Sequence, residues 1–399
     1  MFGPEWPRLS PFKKLLLRAN VLVEESPHDS KAQLRALELY RQALELQDSR
    51  LVWRNIGRLH FARKEWENAE QAFLQSHDHF WLGLLYEWTS RFEEGWEHIR
   101  KASPSADQAR VMARIARQTG RYDEGIAALR PWNDVDSLFE LIHLYDKKGE
   151  DAKAWETSLK ANAAKGLRDP DPFQPVEMTI PNEGTPGAPV FIVGMPRSGT
   201  TLLERMLAQH PVMESRGESL FFDFIAGQLS GGQNLMRIGE AYLMGYTRRT
   251  VDKYPLNFRY LDLIRGVFPD ARIIDMRRSR DDTLLSCWFR NFRGQMRWAY
   301  HWDDLETAYD RYLETMEGRT DVMKVRYEQL VLNPEAVLRK VLDHCGLPWD
   351  KRCLNHNADP AFHEYSYQEV RQPIFRDHIG RADRYRGFFP QERGLEALA

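Results

Sequence analysis

The sequence predicts two domains of different class, an amino-terminal array of helical repeats and a carboxy-terminal α/β domain with a central parallel sheet. With 399 residues the chain exceeds the usual size of one domain. The first third repeats a helical pattern, and prolines and glycines are dense at 169–188, which we expect to be a linker. After this linker, three apolar segments alternate with helical patterns, at residues 190–194, 271–276 and 321–325.

The repeat predicts paired helices of the tetratricopeptide type over residues 1–168. Trp53-x-x-Ile56-Gly57-x-x-His60, followed by Ala69-x-x-x-Phe73, resembles the pattern W-x₂-L-G-x₂-Y…A-x₃-F of tetratricopeptide pairs. Weaker copies are Ala36-x-x-x-Tyr40, Gly83 to Ile99, Gly120-x-x-x-x-Gly125 and Gly149-x-x-x-x-Ala154. An unrelated helical bundle is the alternative, because alanine and aromatic residues at helical spacing are core by default. Either arrangement offers a concave surface for a protein partner.

Composition indicates a globular protein without a polyanionic partner. The formal net charge is -2, and this near-neutral balance argues against nucleic acid or an anionic membrane as the main ligand. Cys287, Cys345 and Cys353 are too few for a disulfide framework and lack zinc-ligand spacing, so no metal is expected. The apolar run at 15–17 is too short for a signal-peptide core or a membrane span. We therefore expect a cytoplasmic protein without an integral membrane segment.

The strongest functional signal is a strand, a loop and a helix between residues 190 and 207. Backbone N–H groups of such a loop, with the positive end of the helix that follows, bind a phosphate-sized anion. Nucleotide triphosphatases carry a lysine directly before the Ser/Thr of this loop. Here Thr200 takes that position, and Arg197 lies inside the loop. The loop therefore predicts a 5′-phosphate site that is not built for metal-assisted triphosphate cleavage.

A second anion site is predicted after the strand at 271–276. Arg278 leaves this strand, and the spacing of Ser286 and Arg290 places them on one face of the helix that follows. Two guanidinium groups and a hydroxyl can then converge on one dianion. The alternative is that Arg277, Arg278 and Arg280 form a solvated basic loop.

Residues 189–390 resemble the sulfotransferase family, in particular its tyrosylprotein-sulfotransferase branch and bacterial relatives with tetratricopeptide repeats. Three motifs carry the resemblance: Pro196-Arg197-Ser198-Gly199-Thr200-Thr201, the segment 276–287, and the segment 325–334. The resemblance implies that residues 189–399 form a sulfotransferase domain. It also implies transfer of a sulfuryl group from 3′-phosphoadenosine 5′-phosphosulfate to a hydroxyl, without a metal.

The same resemblance implies a set of residues that bind the sulfuryl donor. The first motif would hold the 5′-phosphosulfate, and the second would hold the 3′-phosphate. Tyr327 would lie at the adenine or its ribose, although a tyrosine after a strand is more often core. The donor-binding residues implied are Pro196, Arg197, Ser198, Gly199, Thr200, Thr201, Arg278, Ser286, Arg290, Tyr327 and Arg381.

Four residues are implied to be catalytic, namely Glu218, Lys253, Arg197 and Ser366. Glu218 would accept the proton of the attacking hydroxyl, as a carboxylate can. Glu214 is a near neighbour and the alternative candidate for that role. Arg197 and Ser366 would stabilise the transition state.

Lys253 would neutralise the charge that builds on the oxygen between phosphate and sulfur, an interaction stronger in the transition state than in the ground state. In the family a lysine precedes an acidic residue and a proline, whereas here Tyr254 stands in the acidic position. The residue that orients Lys253 is therefore open at this stage, with Asp252 as a candidate.

Two other functions compete with sulfuryl transfer. A small-molecule kinase shares the strand, loop and helix. Its triphosphate donor would not use the second basic site, at Arg278 to Arg290. An inactive repeat scaffold is the other alternative, although charged groups that meet in a cleft are costly to keep without a ligand. The sequence leaves the acceptor open among tyrosine, sugar, lipid and small-molecule hydroxyls, because residues 220–249, expected to line its pocket, match no signature.

Overall fold

The structure is a computed structural model that describes residues 9–173, 185, 188–228, 234–292, 296–355 and 378–390. It divides the chain into two compact units, Met1–Ala161 and Asn162–Ala399. Most of the expected linker lies outside the described residues, so the domain boundary at residue 169 stays a prediction. Across the described parts of the chain, no helix has both the length and the apolar character needed to cross a membrane.

The amino-terminal unit is helical throughout its described part, as predicted. Consecutive helices pair as hairpins, α1 with α2, α3 with α4, α5 with α6, and α7 with α8. Several helices begin at an Asp or Ser side chain that accepts a backbone N–H of the first turn, such as Asp134 at α9. The helices are α1 Pro11–Glu25, α2 Ser30–Leu46, α3 Arg50–Ala62, α4 Trp66–Ser76, α5 His79–Trp88, α6 Phe92–Ile99, α7 Ala106–Thr119, α8 Tyr122–Leu129, α9 Val135–Lys148 and α10 Asp151–Lys165.

Close packing within one hairpin explains the repeat motif. Gly57 of α3 faces Phe73 of α4, and a Cβ atom at Gly57 would lie 2.5 Å from Cδ1 of that ring. Phe73 is itself completely buried. The glycine of the motif therefore makes room for the aromatic residue sixteen positions later, which is why the two occur together in the sequence.

Gly57→Ala is expected to destabilise the amino-terminal unit. In a helix interior this change would ordinarily stabilise by about 1 kcal/mol, but overpacking against Phe73 costs roughly 1–3 kcal/mol. Thermal unfolding of the single variant and of Gly57→Ala combined with Phe73→Leu measures the clash. The cost of the alanine should shrink or reverse in the Phe73→Leu background. An equal cost in both backgrounds would show that Phe73 is not the obstacle.

The carboxy-terminal unit is built on a parallel sheet, as predicted. Its described strands are β1 Val190–Gly194, β2 Met213–Gly217, β3 Arg249–Asp252, β4 Arg272–Arg277 and β5 Met323–Arg326. Their order across the sheet is β2-β3-β1-β4-β5, and every pairing is parallel. The sequence predicts β1, β4 and β5, which lie in apolar segments, but not β2 and β3, whose residues are mostly polar. The carboxyl ends of all these strands meet at one edge, where ligands bind in such sheets.

Helices and aromatic side chains cover both faces of the sheet. The helices are α11 Thr200–Ala208, α12 Phe221–Ala226, α13 Leu235–Leu243, α14 Leu261–Val267, α15 Arg280–Trp288, α16 Trp302–Met316, α17 Tyr327–Leu332 and α18 Pro334–His344. One face is aliphatic, with Val190, Ile192, Leu203, Ile274 and Leu338 in one buried cluster. On the other face Phe191 contacts the rings of Phe222 and Tyr242, with centroids 5.6 and 5.8 Å away. The central strand β1 is therefore fully enclosed, which fixes the loop that follows it.

A buried carboxylate ends strand β3. Asp252 is fully buried and accepts hydrogen bonds from Tyr242 Oη at 2.9 Å, from Asn257 Nδ2 at 3.2 Å and from the Tyr254 N–H at 3.2 Å. Burial raises the pKa of Asp252 to about 7, although the hydrogen bonds from Tyr242 and Tyr254 oppose the shift. The network holds the chain at the point where it leaves the sheet.

Asp252 is expected to make stability depend on pH. Because its pKa rises from 3.8 to about 7 on folding, the folded protein keeps a proton that the unfolded chain has lost in this interval. The free energy of unfolding should therefore fall as the pH rises from about 4 to about 7. In Asp252→Asn this contribution is absent, so the variant should gain stability relative to the wild type over that range, as measured by urea denaturation. A difference that does not vary with pH would contradict the assigned shift.

Candidate active site

The loop after β1 is wound tightly against its neighbours. Gly199 has a φ of +99°, and a Cβ there would lie 2.5 Å from Cδ2 of Tyr327. Arg197 also takes a left-handed conformation, with a φ of +70°. Such a conformation is uncommon for a residue with a side chain and persists where the surroundings impose it. Helix α11 begins directly after Gly199, so the loop faces its positive end.

Basic side chains from two elements meet beside this loop. Arg197 Nε donates to Ser286 Oγ on α15 at 3.1 Å, and Arg278 Nη1 donates to the Arg197 carbonyl at 3.2 Å. The Arg278 guanidinium lies over the Tyr327 ring, 5.1 Å from its centroid. Burial lowers the pKa of Arg278, and the positive charges of Arg197 and Arg381 lower it further. Like charges repel one another, and a bound multivalent anion would offset this repulsion. The cluster therefore fits a site for such an anion.

The predicted helical position of Arg290 is wrong. Helix α15 ends two residues earlier, and the Arg290 N–H donates to the Cys287 carbonyl in a tighter final turn, at 2.9 Å. The ring of Phe289 packs edge-on against Tyr385, 5.1 Å between centroids. Arg290 therefore follows the helix in a loop and does not share a helical face with Ser286.

Asp282, which the sequence analysis did not single out, joins the carboxy-terminal segment to this site. Its buried carboxylate accepts the Gly380 N–H at 2.9 Å and the Ala382 N–H at 2.8 Å, and lies 3.8 Å from Arg278 Nη2. These bonds bring Arg381 into the charge field of Arg278. An aspartate in the first turn of a helix is common enough that its spacing carried no signal.

An ion pair between a buried lysine and a partly exposed glutamate lies at the ends of β2 and β3. Lys253 Nζ is 2.6 Å from Glu218 Oε1 and 3.9 Å from Glu204 Oε2. Gly217 pairs with Asp252 in the sheet, and the Lys253 N–H donates to the Gly217 carbonyl at 3.0 Å, so Glu218 and Lys253 emerge side by side. The Lys253 side chain is 0% exposed, whereas that of Glu218 is 46% exposed. Glu218 is thus the solvent-exposed member of the pair.

Glu214, the alternative to Glu218 as proton acceptor, binds backbone groups. Glu214 Oε1 accepts the N–H groups of Thr247 and Arg248, both at 2.8 Å, and so holds the turn that leads into β3. Ser366 lies outside the described residues. Glu204, a buried carboxylate of α11, was missed because it falls within an apolar helical pattern without a motif around it.

Comparison with known proteins finds similar sequences. The profile of the Sulfotransferase family matches residues 189–243 and 236–351. Protein-tyrosine sulfotransferase 1 of Danio rerio is 29% identical over 199 residues, 42% of this chain and 55% of its own length. An uncharacterized protein of Aquifex aeolicus is 27% identical over 300 residues, which cover 62% of this chain and 39% of that protein.

One solved structure is similar to part of this chain. The sulfotransferase domain of the Synechococcus PCC 7002 olefin synthase is 21% identical, with a TM-score of 0.42, over 52% of this chain and 91% of that domain. The chain spans about half the length, 55% and 52%, of the protein-tyrosine sulfotransferases of Danio rerio and Caenorhabditis elegans that it matches. The resemblance expected from the sequence motifs is confirmed, because residues 189–243 and 236–351 match the profile of the sulfotransferase family.

Proposed function

We propose that this protein transfers a sulfuryl group from 3′-phosphoadenosine 5′-phosphosulfate to an acceptor hydroxyl. The proposal rests on the hydrogen bonds that join the loop after β1 to the basic residues after β4. Arg197 donates to Ser286, and Arg278 donates to the Arg197 carbonyl. Two anion sites side by side suit a donor with phosphate at both the 5′ and the 3′ position. The match to the sulfotransferase family supports the same activity.

Buried polar atoms test whether the residues fit such a donor. Among the described residues, Ser198 Oγ and Arg278 Nε are buried without a hydrogen-bond partner. Burial of an unsatisfied polar atom costs about 1–3 kcal/mol, and phosphate oxygens would remove that cost. The first site would consist of the loop residues 196–201. The second would consist of Arg278, Ser286, Arg290 and Arg381, with Tyr327 nearest the nucleoside.

The chemistry then divides among three side chains. When bound, the donor supplies a sulfuryl group whose sulfur bonds to the acceptor oxygen as its bond to the 5′-phosphate oxygen breaks. Glu218 accepts the hydroxyl proton, since it is the exposed member of its ion pair. Lys253 neutralises the negative charge left on the phosphate oxygen, and Arg197 holds the sulfuryl oxygens with a permanently charged, planar group. Ser366 remains the proposed fourth contributor.

We propose a tyrosine hydroxyl in a peptide as the acceptor. Support comes from relatives named protein-tyrosine sulfotransferases, which match 42% of this chain. The helical hairpins of the amino-terminal unit would bind a protein chain. A screen with labelled donor against peptide, sugar, lipid and small-molecule hydroxyls tests this choice, and transfer to a class other than peptides would overturn it.

Arg278→Ala is expected to weaken binding of adenosine 3′,5′-bisphosphate by about 2 kcal/mol or more, roughly thirtyfold, because a charge-assisted contact to phosphate is lost. Isothermal calorimetry on the purified chain measures this, beside ATP with magnesium. The matched control is Arg280→Ala, whose guanidinium pairs with Glu306 and Asp310 and should leave affinity unchanged. Tight binding of magnesium ATP in place of the bisphosphate would instead favour a kinase, and binding of neither an inactive scaffold.

Glu218→Gln is expected to remove most turnover while affinity for the bisphosphate stays nearly intact, because an amide cannot accept the proton. Glu214→Gln is the control, since its amide oxygen can still accept the backbone N–H groups of Thr247 and Arg248. Turnover is followed with labelled donor. Loss of binding in parallel with turnover would mean that Glu218 supports the fold and not the reaction.

A further inference from the structure

Glu204 occupies an unusual position for a glutamate. It lies on α11, the helix that begins at the phosphate loop, and its side chain is 3% exposed. One carboxylate oxygen is 3.9 Å from Lys253 Nζ, and the other accepts the Ser215 hydroxyl at 2.5 Å. Burying a carboxylate is costly unless it is paired and hydrogen-bonded. Lys253 and Ser215 together meet that requirement, so Glu204 and Lys253 form part of one charge cluster.

The proposed reaction places opposing demands on this cluster. Glu218 is the nearer partner of Lys253, at 2.6 Å, yet it has to take up the acceptor proton. Once protonated, Glu218 no longer offers Lys253 a negative charge. A fully buried ammonium that loses its counter-charge becomes unfavourable by several kcal/mol. A second carboxylate near Lys253 would still supply a negative charge after Glu218 has taken up the proton.

We propose that Glu204 is a positioning residue that keeps Lys253 charged and in place while Glu218 is engaged with the acceptor. Because Glu204 lies on the helix that starts at the loop, it also fixes the distance between the ammonium and the phosphate site. Glu204 acts through Lys253 and does not contact the reacting atoms. The catalytic part of this inference rests on the proposed sulfuryl transfer.

The kinetic test uses Glu204→Gln, which keeps the size of the side chain and its bond to Ser215. We expect kcat to fall about tenfold or more, since a misplacement of ~1 Å costs on the order of a hundredfold. KM for the donor and affinity for the bisphosphate should change by less than about twofold. Glu204→Asp, which restores the charge, should recover part of kcat, whereas Glu214→Gln should have no effect. An unchanged kcat in Glu204→Gln, or equal losses in kcat and donor affinity, would overturn the inference.

A stability test needs neither donor nor acceptor. Single variants Glu204→Gln and Glu218→Gln each leave Lys253 one of these two carboxylates, whereas the double variant removes both. The fall in melting temperature of the double variant should therefore exceed the sum of the two single falls. Glu214→Gln combined with Glu218→Gln is the control and should be additive. If the effects of Glu204→Gln and Glu218→Gln are additive, the shared ion pair is refuted. If they are not additive but the protein shows no sulfuryl transfer, only the proposed function is refuted.

Discussion

A buried ammonium group has to be surrounded by negative charge, and this constraint organises one half of the active-site edge. Lys253 is completely enclosed, so the chain must deliver carboxylates to it from elements that are far apart in sequence. The β2–β3 pairing brings Glu218, and the helix after the phosphate loop brings Glu204. The arrangement links the position of the proposed base to the position of the phosphate site. A shift in one would be transmitted to the other through the lysine.

The other half of the edge is organised by a surplus of positive charge. Burial lowers the pKa of Arg278, and the positive charges of Arg197 and Arg381 lower it further. Asp282 compensates only part of this surplus, because its carboxylate also binds two backbone N–H groups. The two halves of the edge thus differ in sign. In the proposed function, the positive half receives the polyanionic donor and the other half holds the carboxylate that accepts the proton.

The sequence predicted those parts of the molecule that depend on local patterns. The glycine and phenylalanine of the repeat, the loop after β1 and the apolar strands β1, β4 and β5 all have the expected structure. Strands β2 and β3 were missed because most of their residues are polar, so only their pairing with the sheet identifies them. The contacts of Lys253 with Glu218 and Glu204 were missed because these residues are distant from Lys253 in the sequence. Asp252 is adjacent in sequence, but its carboxylate accepts from Tyr242 and Asn257.

The residues of the proposed donor site come from distant parts of the sequence, and this has a consequence for the lifetime of the protein. Its residues come from stretches of chain nearly two hundred positions apart, from Arg197 to Arg381, and Arg278 bonds directly to the backbone at Arg197 and His378. A nucleotide bound there would join these stretches and would have no equivalent site on the unfolded chain. Its binding free energy then adds to the free energy of unfolding by mass action, by about 2.7 kcal/mol at a hundred times the dissociation constant. Survival of the domain against heat and proteases would follow the supply of the nucleotide.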